Sequence, residues 1–101
     1  MFGDLSGMKE QQEKLQEELK KIELTAEADN GLVSVTVNAA KEILNISIKP
    51  ELLDEGDHEI IEDLVLVAMN RALEMASEKE QEVAQESIKD MLPPGMENLF
   101  G

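Results

Sequence analysis

The side chains able to do chemistry in this 101-residue chain are carboxylates, a few lysines and a single histidine; cysteine is absent. Without cysteine there is no disulfide, no thiolate metal site and no thiol nucleophile. His58 stands at the start of a predicted helix among carboxylates. No nucleophile and orienting group accompany it at a recognisable spacing, so it is read as solvated or structural. No glycine-rich phosphate loop is present either. The run Asp54-Glu55-Gly56-Asp57-His58-Glu59 has the composition of a calcium loop but not its register. Its glycine falls third rather than sixth and no glutamate stands twelfth. The run reads as a capped helix entry, and the chain is expected to be neither an enzyme nor a holder of metal, cofactor or small-molecule substrate.

Charge is the stronger feature. Twenty-three acidic and nine basic residues give a net charge of −14, a field that repels phosphate backbones and anionic lipid and favours basic partners. Glu74, Glu78, Glu82, Glu86 and Asp90 recur at every fourth position, so they stack on one helix face and repel one another. That face should be solvated, or meet something basic, and it cannot grip a phosphate backbone. The cations are sparse: Lys9, Lys14, Lys20 and Lys21 on one predicted helix, and Arg71, Lys79 and Lys89 on another. Two copies of the chain would double each of them and align two shallow basic ridges.

Residues 8–23 are expected to form the first of these helices. Met8, Leu15, Leu19 and Ile22 make one narrow apolar stripe, and Glu10–Lys14 and Glu17–Lys21 have the favourable order for neighbouring ion pairs. The period then changes to two. Leu24, Ala26 and Ala28 alternate with polar residues up to Asp29-Asn30-Gly31, a strong hairpin signal. Val33, Val35 and Val37 alternate with Ser34 and Thr36, and Asn38-Ala39-Ala40-Lys41 makes a second turn. Leu44, Ile46 and Ile48 alternate with Asn45 and Ser47 until Pro50 stops the strand. Residues 24–49 are therefore an antiparallel three-stranded meander, apolar on one face.

Asp57 is a suitable cap for a long helix over 57–91, whose first turns carry Glu59, Glu62 and Asp63. No glycine or proline interrupts it, so it should be a rod of roughly 50 Å. Its first half is apolar on more than one side, more than one small sheet can cover, and the surplus points to a second copy of the chain. Ile60, Leu64, Val67, Ala68 and Arg71 are the expected contacts between copies. Leu92-Pro93-Pro94-Gly95 ends the helix, and 92–101 is expected to be a flexible tail. The N-terminus has no basic region followed by an apolar stretch, and the longest apolar run, Leu64–Met69, is far shorter than a membrane span of about 20 residues. A soluble, cytoplasmic, single-domain α+β protein over 1–101 is expected, with no membrane partner.

Several stretches together resemble one family. They are Gly31-Leu32-Val33-Ser34-Val35-Thr36-Val37-Asn38-Ala39, then Ile46-Ser47-Ile48-Lys49-Pro50-Glu51-Leu52-Leu53-Asp54, then Glu62-Asp63-Leu64-Val65 with Ala68, Asn70 and Ala72. With the Met-Phe-Gly start, the Gln/Glu/Lys-rich first helix and the closing Leu92-Pro93-Pro94-Gly95, they resemble the YbaB/EbfC family of nucleoid-associated proteins nearly end to end. The resemblance implies an α-β-β-β-α subunit, a tweezer-shaped homodimer with helical arms, and double-stranded DNA as partner, bound with little sequence preference. It further implies a place on the nucleoid and a link to gene regulation or to recombination and repair. Lys9, Lys14, Lys20, Lys21 and Arg71 are the expected DNA contacts. Arg71 stands where the family often has an acidic residue, and relatives tend to carry more basic charge on the arm than Lys79 and Lys89 supply. The second reading is an acidic interaction module that binds a basic protein, with weak or no direct contact to DNA.

Overall fold

Valines alternating with a serine and a threonine make the centre of the molecule. In the structure, a computed structural model that describes residues 2–54 and 56–91, Val33–Asn38 is the middle strand β2, flanked by β1 (Glu23–Ala28) and β3 (Ile43–Ile48). Both pairings are antiparallel, with Ala26 opposite Val35 and Val35 opposite Ile46. Val33, Val35 and Val37 have no accessible surface. The opposite face is polar, with the Thr25 and Thr36 hydroxyls 3.0 Å apart across the β1–β2 pair.

Each turn follows from its residues. The Leu32 amide donates to the Asp29 carbonyl at 3.2 Å. Asp29 (φ 51°), Asn30 (φ 56°) and Gly31 (φ 88°) are all left-handed, the conformation that Asp, Asn and Gly tolerate best, in a four-residue loop between Ala28 and Val33. At the second turn Asn38, only 3% exposed, holds the loop by its side chain. Its Oδ1 accepts from the amides of Ala40 and Glu42, both at 3.0 Å, and its Nδ2 donates to Glu42 Oε1 at 2.8 Å. Lys41 takes the left-handed position (φ 68°). A register irregularity follows, with Val37 opposite Ile43 but Thr36 opposite Asn45, so that Leu44 is the extra residue of a bulge.

Helix α1 covers Phe2–Lys20, beginning earlier and ending earlier than the expected 8–23. Its end is drawn tight by amides of the last turn, Lys21 to the Glu18 carbonyl and Ile22 to the Leu19 carbonyl, both at 3.2 Å. A short helix α2, Pro50–Asp54, lies where only the end of a strand was expected. Proline both stops β3 and opens this helix, since its fixed φ suits a first helical turn, and Leu52 plugs into the core at 3% exposure. Helix α3 runs His58–Met91. Asp57 Oδ1 accepts from the amides of Glu59 (3.1 Å) and Ile60 (3.4 Å), closing the helix start. The segment 92–101 lies outside the described residues.

Helix α3 lies across β1 and β2. Ala68, Ala72 and Ala76, all fully buried, form its contact stripe; with only methyl groups between them, helix and sheet approach closely. Ala26, Ala28 and the three β2 valines complete the core. The order helix, three-stranded antiparallel sheet, long helix is the α-β-β-β-α arrangement of an α+β protein. No described helix is long and apolar enough to cross a membrane.

Candidate nucleic-acid interface

The lysines expected to contact DNA lie on α1 or at its end. All four of its candidate lysines, Lys9, Lys14, Lys20 and Lys21, are exposed, the last just beyond the helix end. At 100° per residue they fall into two stripes, Lys9 with Lys20 and Lys14 with Lys21. Glu10, Glu13 and Glu17 project between the stripes. The Lys9 stripe has a further property. Gln12 and Gln16 sit on its other flank, and together with Lys9 and Lys20 they make a carboxylate-free strip next to the apolar one. These four residues, with Glu13 and Glu17 at the rim, line one shallow open surface. From Lys9 to Lys20 the helix rises about 16 Å, so the two ammonium groups can meet separate phosphates while the amides between them accept and donate hydrogen bonds.

Backbone bonds and a buried leucine tie the end of this helix to the body. The Ala39 amide, at the β2–β3 turn, is shared between the carbonyls of Leu19 (3.1 Å) and Ile22 (3.0 Å), and Leu19 is buried to 2% exposure. The same end of the sheet anchors α3, where Lys41 Nζ is 3.6 Å from Glu80 Oε1. On either side of it Glu74, Glu78, Glu82 and Glu86 stay exposed along α3. Lys79 turns back to Glu82 at 3.6 Å. The acidic ridge is therefore a ridge in space as well as in sequence.

Arg71 is elsewhere. Its Nη1 donates to the Glu27 carbonyl at 2.8 Å, on the free edge of β1, and it shares a shallow groove with Glu27, Glu74 and Glu78. Glu27 is near the far end of β1 from Lys20 and Lys21, roughly 13 Å along the strand from Glu23. The structure does not bring Arg71 together with the lysines, and three carboxylates surround it. It is a sheet-edge residue rather than part of a basic ridge.

The residues expected between copies also divide. Ile60 and Val67 are exposed and Leu64 is partly buried. Ala68 has no accessible surface in the subunit, being one of the three alanines that pack α3 on the sheet, so its side chain faces the core of its own chain rather than a second copy. The larger surprise is β3. Its apolar residues Ile43, Leu44 and Ile46 are exposed, because α3 covers only the other two strands. Sequence alternation marks such a face as apolar but does not say which strands the helix will reach.

The sequence pattern of the YbaB/EbfC DNA-binding family matches residues 1–91. The chain belongs to this family. Nucleoid-associated proteins of Clostridium novyi (39% identical over 88% of this chain and 78% of that one) and Neisseria gonorrhoeae (37% identical over 99% of each) are among its relatives. A crystal structure of an uncharacterised protein from Helicobacter pylori has the same fold, with a TM-score of 0.73 and 28% identity over 85% of this chain and 90% of that one. The family is one of DNA-binding, nucleoid-associated proteins and not of enzymes. Among the described residues there is no cluster of three or more potential metal ligands.

Proposed function

We propose that the chain works as a homodimer that binds double-stranded DNA with little sequence preference, on the nucleoid in the cytoplasm, in support of gene regulation or of recombination and repair. The observation that carries this reading is the Lys9–Gln12–Gln16–Lys20 strip of α1. In a chain of net charge −14, a strip with a lysine at each end and two glutamines between, bordered on one side by Glu13 and Glu17, is where a polyanion would meet cations with the fewest carboxylates beside them. Contact of this kind reads backbone and groove shape more than base identity. It is brought to this chain by membership of a DNA-binding family. Lys14 and Lys21 lie on the neighbouring stripe and would reinforce attraction at low salt. A second copy doubles the strip, which matters because two lysines alone release few counterions.

The acidic arm favours a second reading. Glu74, Glu78, Glu82 and Glu86 present carboxylates about 6 Å apart along the helix, a surface suited to a basic protein, with DNA contact then weak or indirect. Fluorescence anisotropy of a labelled duplex, titrated with the protein at several salt concentrations, separates the two. Binding that weakens steeply with salt supports the first reading. No binding even at low salt would sink it and leave the second.

A further inference from the structure

The outer edge of β1 has no strand beside it, and its backbone phase follows from the bonds on the far side of β2. The Lys49 amide donates to the Leu32 carbonyl at 2.9 Å, and the Asn38 amide to the Glu42 carbonyl at 3.0 Å. Counting by twos between them, Ser34 and Thr36 turn their backbone groups to β3, so Val33, Val35 and Val37 turn theirs to β1. Their partners there are Ala28, Ala26 and Leu24. Glu23, Thr25 and Glu27 therefore direct amide and carbonyl away from the sheet. Arg71 agrees with this phase, since its Nη1 reaches the Glu27 carbonyl from outside at 2.8 Å. The amides of Thr25 and Glu27 and the Thr25 carbonyl have no such partner among the described residues.

Beside this edge runs the groove that Thr25, Ala26 and Glu27 share with Arg71, Glu74, Met75 and Glu78 of α3. Met75 leaves 36% of its surface open there. Glu27, Glu74 and Glu78 are exposed, and among the described residues none of them has an ion pair. The pairs of this helix lie farther along it, Lys79 with Glu82 and Lys41 with Glu80, both at 3.6 Å. Glu23 adds a fourth carboxylate on the strand itself. Such a surface repels DNA and any strand as acidic as this chain. An unpaired edge bordered by uncompensated carboxylates and an open methionine selects an extended segment of basic and apolar residues.

We infer that the outer edge of β1 is a docking site for an extended, basic segment of another protein, added to the sheet as a fourth strand. Main-chain bonds to Thr25 and to the Glu27 amide supply the pairing. Lysine or arginine side chains meet Glu23 and Glu27 on one face of the added strand and Glu74 and Glu78 on the other, and an apolar side chain covers Met75. Arg71 sets where the pairing ends, because the Glu27 carbonyl is already bonded. The inference rests on the basic-protein reading of the proposed function and gives it a surface; the DNA reading stands or falls apart from it.

The test uses the full chain and a fluorescein-labelled peptide of alternating lysine and valine, titrated by anisotropy at low salt. A peptide of alternating glutamate and valine is the control and should not bind. Amide hydrogen exchange followed by NMR reads the edge directly: with the lysine peptide bound, the Thr25 and Glu27 amides should exchange more slowly by about tenfold or more. Glu74→Gln with Glu78→Gln should weaken the peptide by about three- to tenfold. Glu82→Gln with Glu86→Gln removes the same charge farther along the arm and should weaken it clearly less. Binding without slower exchange at Thr25 and Glu27, or weakened equally by the two double variants, overturns the β1 site and leaves a basic partner on the arm standing. No binding of the lysine peptide at low salt overturns the basic-protein reading as well.

Discussion

The amide of Ala39 donates to the carbonyl of Leu19 at 3.1 Å, joining the turn between β2 and β3 to the last turn of α1. Through this bond and the burial of Leu19 the sheet sets the direction in which the lysine-bearing helix leaves the body. Phosphate contact by an exposed lysine is worth little if the helix carrying it wanders, so the junction bears on function as well as on stability.

Leu19→Ala should therefore lower stability by about 2–4 kcal/mol, the range for a buried leucine whose cavity is only partly refilled. Urea unfolding followed by circular dichroism measures it. A loss below about 1 kcal/mol would mean that α1 is held by other contacts.

The Asn38 side chain is the second structural test. Replacing it with alanine leaves the amides of Ala40 and Glu42 without their acceptor inside a turn where Asn38 itself is buried. The expected cost is about 1–3 kcal/mol, read from the same unfolding curves.

Arg71 tests whether the β1 edge belongs to the DNA-contact surface. Bonded to Glu27 O and bordered by Glu74 and Glu78, it should contribute nothing to the salt dependence of DNA binding. Arg71→Gln is expected to leave the slope of log K against log salt unchanged. A slope shallower by about 0.9 or more would return it to the DNA-contact surface.

Much of this fold is legible in the chain. Valine–threonine alternation, Asn30-Gly31 and the capping Asp57 each act locally, so the residues that form the element also announce it. What is not legible depends on where elements land. Pro50 reads as the end of a strand, and only the burial of Leu52 reveals that it also begins a helix. Ala68 reads as part of an apolar surplus on α3; the structure buries it fully in the core with Ala72 and Ala76. Ile46 reads as a core residue by its alternation with Asn45 and Ser47, yet α3 stops short of β3 and leaves it exposed. For the candidate site the lysines are visible at once. Their sorting into a strip flanked by Gln12 and Gln16 and a strip beside glutamates was available from the helical wheel, and counting charges alone passes over it.

The central claim is that the strip bearing Lys9 and Lys20 is what touches DNA. Its most direct test is the salt dependence of duplex binding, by anisotropy, for wild type, for Lys9→Gln with Lys20→Gln, and for Lys14→Gln with Lys21→Gln. Both double variants remove the same charge from the same helix, so long-range repulsion changes equally. Each lost phosphate contact lowers the slope of log K against log salt by about 0.9. The Lys9/Lys20 variant should therefore flatten it by about 2 to 4 across a dimer, and clearly more than the Lys14/Lys21 variant. Equal slopes for the two variants, or the larger change in the Lys14/Lys21 variant, would contradict the account.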